Sequence, residues 1–139
     1  MRFWDASAIV SLFIEQPSST AARALAREDP HIAAWWASPV ECWSAFARLR
    51  REGHIDLTGE ETARSRLRVL QESWTEIRPG EEVRMLAARL LRLHPLRAHD
   101  ALQLAAALTW AGSPPSGKIV VFDYVLREAS RLEGLTPVP

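Results

Sequence analysis

The sequence reads Ile119-Val120-Val121-Phe122-Asp123 just after a loop of glycine, proline and serine at residues 112–117. An unbroken apolar run of this length is typical of a strand that is buried on both faces of a parallel sheet. Two more short apolar segments, Arg2–Trp4 and Ile32–Trp36, have the character of strands. Together they predict an α/β fold.

Helical patterns alternate with these strands. They cover residues 6–13, 20–27, 39–52, 58–72, 81–93, 99–110 and 125–133, and weaker strand patterns cover residues 75–78 and 135–138. Ser38-Pro39-Val40-Glu41 and Thr58-Gly59-Glu60-Glu61 both have the pattern of a capping box, in which the serine or threonine caps a helix. The alternation favours a parallel sheet covered by helices on both faces.

The composition fits a single domain spanning residues 1–139. The chain has 139 residues, 47% of them hydrophobic, and one core usually serves ~100–200 residues. With 17 basic and 17 acidic residues the net charge is zero, so no overall field attracts nucleic acid to the whole surface. Residues 45–99 hold 11 basic and 8 acidic residues, which fits either a basic surface beside an acidic centre or an ordinary solvated face.

Cysteine content and hydropathy bear on the compartment. Cys42 is the only cysteine, so no internal disulfide can form and a Cys/His zinc cluster is disfavoured. No apolar run approaches the ~18–20 residues of a membrane span, and Met1–Asp5 lacks the design of a signal peptide. We expect a cytoplasmic protein that does not enter a membrane.

Four acids share one setting, at the end of a predicted strand or the start of a predicted helix: Asp5, Glu41, Asp100 and Asp123. In open α/β sheets function collects at the carboxyl ends of the strands, so we expect the four to converge in one pocket. Their mutual repulsion requires a cation, and oxygen ligands without paired Cys or His favour Mg²⁺ or Mn²⁺. Such a site suits phosphodiester hydrolysis.

Each acid also has a purely structural explanation. Glu41 is the third residue of a capping box, and Asp5 and Asp123 can cap the helices that follow them. Asp100 can complement the dipole of its helix. Ser7, two residues after Asp5, can bond either a water on a metal ion or a helix carbonyl.

Four motifs occur in order over essentially the whole chain. They are Asp5-Ala6-Ser7-Ala8, Ser38-Pro39-Val40-Glu41, Leu96-Arg97-Ala98-His99-Asp100-Ala101-Leu102-Gln103-Leu104-Ala105 and Phe122-Asp123-Tyr124-Val125-Leu126-Arg127-Glu128-Ala129. Together they resemble the PIN-domain ribonucleases, in particular the VapC-type toxins of bacterial and archaeal toxin–antitoxin pairs, and the third motif is the most specific. The resemblance implies a three-layer α/β/α sandwich with a short parallel sheet, Mg²⁺- or Mn²⁺-dependent RNA cleavage, homodimers, and inhibition by a small antitoxin.

The resemblance also assigns site residues. The family's first acid falls on Asp5, its helix glutamate on Glu41, its third acid on Asp100 and its fourth on Asp123. We therefore expect catalysis to depend on all four, with Asp5 and Asp100 as the metal ligands. The chain departs from the family at Val121, where a threonine or serine often precedes the fourth acid.

Three functions are alternatives to that of a metal-dependent endoribonuclease. A catalytically silent PIN-like module that binds RNA or protein is the main alternative, and the presence of all four acids weighs against it. A receiver-like phosphoacceptor needs adjacent acids near the first strand, but Asp5 stands alone. A phosphatase of the Asp-x-Asp type needs a second acid where Ser7 stands. The sequence names neither the RNA target nor an antitoxin.

Two helices have more apolar residues than one buried face needs, residues 39–52 and 81–93. We expect a homodimer through one helical region, because large apolar patches usually mark interfaces. An antitoxin groove is expected near Trp43 and Phe46, with a basic rim formed by Arg48, Arg50 and Arg51. The alternative is that the neighbouring helical hairpin covers these residues.

Overall fold

A computed structural model describes all 139 residues, and its centre is one five-stranded parallel sheet. The strands are β1 (Arg2–Trp4), β2 (Ile32–Trp35), β3 (Thr75–Ile77), β4 (Lys118–Val120) and β5 (Thr136–Val138), in the spatial order β3-β2-β1-β4-β5. On β1, Phe3 pairs with Ala33 of β2 and with Ile119 of β4. The apolar run near residue 120 is therefore an inner strand, as predicted.

Seven helices connect and cover the strands. They are α1 (Ala6–Phe13), α2 (Ser19–Glu28), α3 (Ser38–Arg51), α4 (Leu57–Gln71), α5 (Glu81–Leu93), α6 (Ala98–Ala111) and α7 (Tyr124–Leu132). Each agrees with its predicted range to within one residue at either end. None of the seven is both long and apolar enough to cross a membrane.

The core has two halves, one on each face of the sheet. Phe3 and Ile119 belong to the half that α5, α6 and α7 cover. Trp4 and Val120 belong to the half that α1, α3 and α4 cover. Because neighbouring residues of a strand point to opposite faces, two adjacent apolar positions on each inner strand supply both halves. The three-layer α/β/α sandwich with a short parallel sheet is confirmed.

Both predicted capping boxes are wrong. The hydroxyl of Ser38 does not cap α3, because the helix already begins at Ser38 and Ala37 holds the cap position. That hydroxyl instead accepts a hydrogen bond from Gln103 Nε2 on α6 (3.0 Å). The cap of α4 is Asp56, whose carboxylate accepts the backbone N–H of Gly59 (2.7 Å). A carboxylate is a stronger acceptor than a hydroxyl, so α4 starts ahead of Thr58.

The structure corrects the expected antitoxin groove. Phe46 is fully buried in the half of the core under α1, α3 and α4, so the prediction that it lines a surface groove is wrong. The neighbouring helix α4 packs along α3 and closes that face. Trp43 keeps 36% of its surface exposed, with the Arg64 guanidinium 5.0 Å from its ring centroid.

Candidate active site

Asp5 and Asp123 lie at the same edge of the sheet because their strands are neighbours. Asp5 directly follows β1, and its backbone N–H donates to the carbonyl of Val120 at the end of β4 (3.1 Å). Asp123 comes three residues later on the path from β4 into α7. Parallel pairing puts both strand ends at one edge, so the two acids share it.

Glu41 and Asp100 reach the same edge from the first turns of α3 and α6. All four predicted acids line one open cleft of about 800 Å³, which is large enough for a small ligand or for part of a polymer. The lining also includes three basic side chains, Arg48, Arg97 and His99. The structure thus brings the four carboxylates together at one site.

Two of the acids are also helix caps, as their structural explanations predicted. The carboxylate of Asp5 accepts the backbone N–H of Ser7 (3.1 Å), and that of Asp123 accepts the backbone N–H of Leu126 (2.8 Å). The Ser7 hydroxyl donates to Asp5 as well, rather than to a helix carbonyl. Asp5 is 5% exposed, whereas Asp123 is exposed at the mouth of the cleft.

Glu41 has a buried partner that sequence reasoning missed. Gln103 Nε2 donates to Glu41 Oε1 (3.0 Å), and the Gln103 side chain is fully buried. The available signal was a single polar residue within the apolar run 101–108, three residues after Asp100 and therefore on the same helix face. Its partners lie on α3, so the sequence alone did not identify them.

Asp100 has a basic neighbour within its own helix. His99 Nε2 lies 3.2 Å from Asp100 Oδ1, so the two side chains are in polar contact. The His99 side chain is 55% exposed and the Asp100 side chain 22% exposed. Both residues line the cleft and are more accessible than the buried Asp5.

The buried carboxylates at the cleft repel one another. Burial raises the pKa of the Asp5 carboxyl, hydrogen bonds from Ser7 oppose that rise, and the charge of Asp100 adds to it. Burial also raises the pKa of Glu41 to about 7; the Gln103 hydrogen bond opposes this rise, and the charges of Asp5 and Asp100 reinforce it. The negative charges therefore destabilise one another, and a bound cation would offset this repulsion.

The donor set fits a hard divalent cation. As the side chains stand, no three His, Cys, Asp or Glu side chains lie close enough together to share one metal ion. Mg²⁺ is usually held by one or two carboxylates, several waters and substrate phosphates, so Asp5 and Asp100 can suffice. Cys42 supplies no thiolate, because burial first and the nearby carboxylates second raise the pKa of its thiol.

Comparison with known proteins gives similarity at the level of the fold. No protein-family model matches the chain, and no curated protein matches it in sequence. Among solved structures, a chain of a toxin–antitoxin complex from Klebsiella pneumoniae superposes with a TM-score of 0.62 at 15% identity, over 88% of this chain and 87% of that one.

Two further structures superpose over nearly the full length. A chain of FitAcB from Neisseria gonorrhoeae gives a TM-score of 0.67 at 14% identity, over 100% of this chain and 97% of that one. A chain of VapBC2 from Rickettsia felis, solved bound to a DNA fragment from the promoter, gives 0.65 at 12% identity, over 99% and 96%. This chain therefore has the fold of a chain in each of these three structures, in agreement with the PIN-domain resemblance.

The raised pKa values predict how pH changes the stability of the metal-free protein. Between the ordinary pKa of 4.5 and a folded-state value of about 7, folded Glu41 keeps a proton that the unfolded chain has released. The free energy of unfolding therefore falls as pH rises through this window, by roughly 1–3 kcal/mol from Glu41. The raised pKa of Asp5 acts in the same direction.

Urea denaturation at about pH 5 and about pH 8 measures this effect. Glu41→Gln should flatten the pH dependence, because the amide does not titrate. Glu61→Gln, on the exposed face of α4, is the matched control and should leave the slope unchanged. Equal slopes in wild type and Glu41→Gln would contradict the assignment.

Proposed function

We propose that the chain is a metal-dependent endoribonuclease and the toxin of a type II toxin–antitoxin pair. The observation that supports this most directly is the convergence of Asp5, Glu41, Asp100 and Asp123 in one open cleft with basic side chains in its lining. The fold shared with chains of toxin–antitoxin complexes supports the same biological role. A silent RNA- or protein-binding module is the alternative that the experiments below distinguish.

The reaction is hydrolysis of an RNA phosphodiester. The oxygen of a water molecule bonds to phosphorus and loses a proton. The bond from phosphorus to the leaving sugar oxygen breaks, and this sugar oxygen takes up a proton. In our proposal Asp5 and Asp100 hold Mg²⁺ or Mn²⁺. When bound, the cation offsets the charge that develops on the phosphate and lowers the pKa of the attacking water.

In our proposal Glu41 takes the proton of the attacking water. A general base works best when its pKa lies near the working pH, and Glu41 has a pKa of about 7. It is half-buried and lines the cleft, so a water in the cleft can reach its carboxylate. Asp123, exposed at the mouth, can accept a hydrogen bond from water beside the scissile phosphate.

The basic residues of the cleft complement an RNA backbone. Arg97 at the start of α6 is exposed and makes no ion pair within the chain, so its guanidinium is free to contact a phosphate. Arg48 pairs only loosely with Glu52 (3.4 Å), and both side chains are largely solvated. Contacts of this kind hold the substrate without favouring one base sequence.

Replacing a metal ligand should separate activity from stability. Asp100→Asn should reduce Mn²⁺-dependent RNA cleavage by about 100-fold or more, because the amide cannot supply the ligand charge. The free energy of unfolding without metal should stay equal or rise, because one repelling charge is gone. Cleavage of a labelled RNA and thermal denaturation measure the two quantities.

Asp56→Asn is the control for that substitution. Asn is as good a helix cap as Asp, and Asp56 caps α4 outside the cleft, so cleavage should persist. Wild-type activity of Asp100→Asn at saturating Mg²⁺ would show that the metal is held elsewhere. A wild-type protein that binds RNA but cleaves none with either metal would support the silent module.

Removing a phosphate contact should weaken substrate binding without slowing the chemical step. Arg97→Ala should raise KM about 3–10-fold with little change in kcat, since an interaction equal in ground and transition states contributes to binding alone. The dependence of RNA affinity on salt should become shallower by about one counterion. Arg92→Ala, on the exposed surface of α5 away from the cleft, should change neither quantity.

A homodimer is proposed through the region of α5. Met85, Leu91 and Leu93 are exposed large apolar side chains on this one helix, and such exposure on a folded chain commonly marks an interface. Sedimentation equilibrium should give about twice the 15.6 kDa chain mass. Leu93→Glu should shift the equilibrium to monomer, and a wild type that stays monomeric at high concentration would refute the dimer.

The antitoxin is proposed as a second protein partner. One solved structure that shares the fold is a toxin–antitoxin complex. Trp43 and Val40 remain exposed on α3 and can contribute to its surface. A small neighbouring reading frame whose product suppresses RNA cleavage would support the pairing, and the absence of inhibition by that product would oppose it.

A further inference from the structure

Gln103 joins the two helices whose first turns carry Glu41 and Asp100. It lies on α6, three residues after Asp100, and its side chain is fully buried. Its Nε2 donates to Glu41 Oε1 (3.0 Å) and to Ser38 Oγ (3.0 Å), both in the first turn of α3. One amide nitrogen therefore uses both of its hydrogens to hold the beginning of α3 against α6.

The other end of the same amide has no partner. Gln103 Oε1 is buried and makes no hydrogen bond. A buried acceptor without a partner lowers stability, and an apolar side chain of similar length would fill this space without that penalty. The particular contribution of a glutamine here is therefore the pair of hydrogen bonds from Nε2, rather than packing.

Those hydrogen bonds leave Glu41 fixed at one oxygen and free at the other. Oε1 accepts from Gln103, whereas Oε2 makes no hydrogen bond within the chain. Glu41 follows three residues after Ser38, so the shared donor also sets where the first turn of α3 lies relative to Asp100. A carboxylate held in this way has one defined orientation toward the cleft.

We propose that Gln103 is a positioning residue that fixes Glu41, and through it the spacing of the carboxylates at the starts of α3 and α6, for hydrolysis. This inference rests on the proposed nuclease function. Residues that orient a reacting group through a hydrogen bond typically change activity by about 10–100-fold when they are removed. The effect is expected in turnover, because Gln103 is fully buried and does not line the cleft.

Gln103→Met tests the inference, because methionine keeps the length and removes the donors. We expect kcat for RNA to fall by about 10–100-fold and KM to change by less than about twofold. The unfolding midpoint should fall by no more than about 8 °C, because removal of the unpartnered Oε1 partly offsets the loss of the donor to Glu41 and Ser38. Thr109→Val is the matched control, since it removes a hydrogen bond to the Ala105 carbonyl (3.0 Å) on the same helix and should leave kcat unchanged.

A double-mutant cycle separates positioning from general structural damage. If Gln103 acts through Glu41, adding Gln103→Met to Glu41→Gln should slow the reaction no further than Glu41→Gln alone. Multiplying losses would overturn the proposal, as would a Gln103→Met protein with wild-type kcat. Equal losses in Gln103→Met and Thr109→Val would also overturn it, because they would reflect the helix rather than Glu41.

A crystal structure of metal-free Gln103→Met judges the geometry without reference to activity. We expect the Glu41 carboxylate to move by more than about 1 Å or to occupy two conformers, because its only hydrogen bond is lost. An unmoved, single-conformer Glu41 would overturn the positioning role even if the protein is a nuclease. Absence of cleavage in wild type would instead refute the nuclease function, and leave the structural comparison to decide the contact.

Discussion

The parallel pairing of β1 with β4 is the constraint on which the cleft depends. The backbone hydrogen bond from Asp5 to Val120 joins the end of one strand to the end of the other, and both strands are buried on each face. Neither can slide by one residue, because a slip would exchange the side chains that face the two halves of the core. The positions of Asp5 and Asp123 follow from this register rather than from any contact between the two acids.

The cleft differs from the surrounding core because it contains charged groups that repel one another. The core is closed by apolar contacts on both faces of the sheet, whereas the cleft collects carboxylates whose burial and mutual repulsion raise the pKa values of Asp5 and Glu41. Such a region lowers the stability of the metal-free fold. Binding of a divalent cation would therefore stabilise the folded chain as well as prepare it for chemistry.

Local sequence patterns were sufficient for the secondary structure and for the acids. The range of α5 was predicted to the residue, because its apolar spacing, the preceding glycine and the two glutamates of its first turn agree. The four acids could be found because each follows a strand or opens a helix, and parallel sheets gather such positions at one edge. Their individual roles in catalysis stay predictions.

Apart from the cap of α4, which is the nearby Asp56, the errors came from contacts between residues far apart in the chain. Ser38 has the local pattern of a helix cap, but its hydroxyl accepts a hydrogen bond from Gln103, which lies on another helix. In the sequence, Phe46 is one of the apolar residues on α3 that exceed a single buried face. In the fold, α4 covers it. The apolar pattern of α6 does not predict the hydrogen bonds of Gln103, because its partners are a serine and a glutamate about sixty residues earlier. No short window of sequence contains both members of such pairs.

The order of the strands also determines how late in synthesis the sheet can form. β1 lies at the centre of the sheet, yet one of its two neighbours, β4, is separated from it by almost the whole described sequence. During synthesis β1 therefore has an unpaired edge until residues near 120 have left the ribosome, and contacts this distant in sequence form slowly. Because Asp5 and Asp123 come to the same edge of the sheet only through the pairing of β1 with β4, an unfinished chain lacks the assembled cleft.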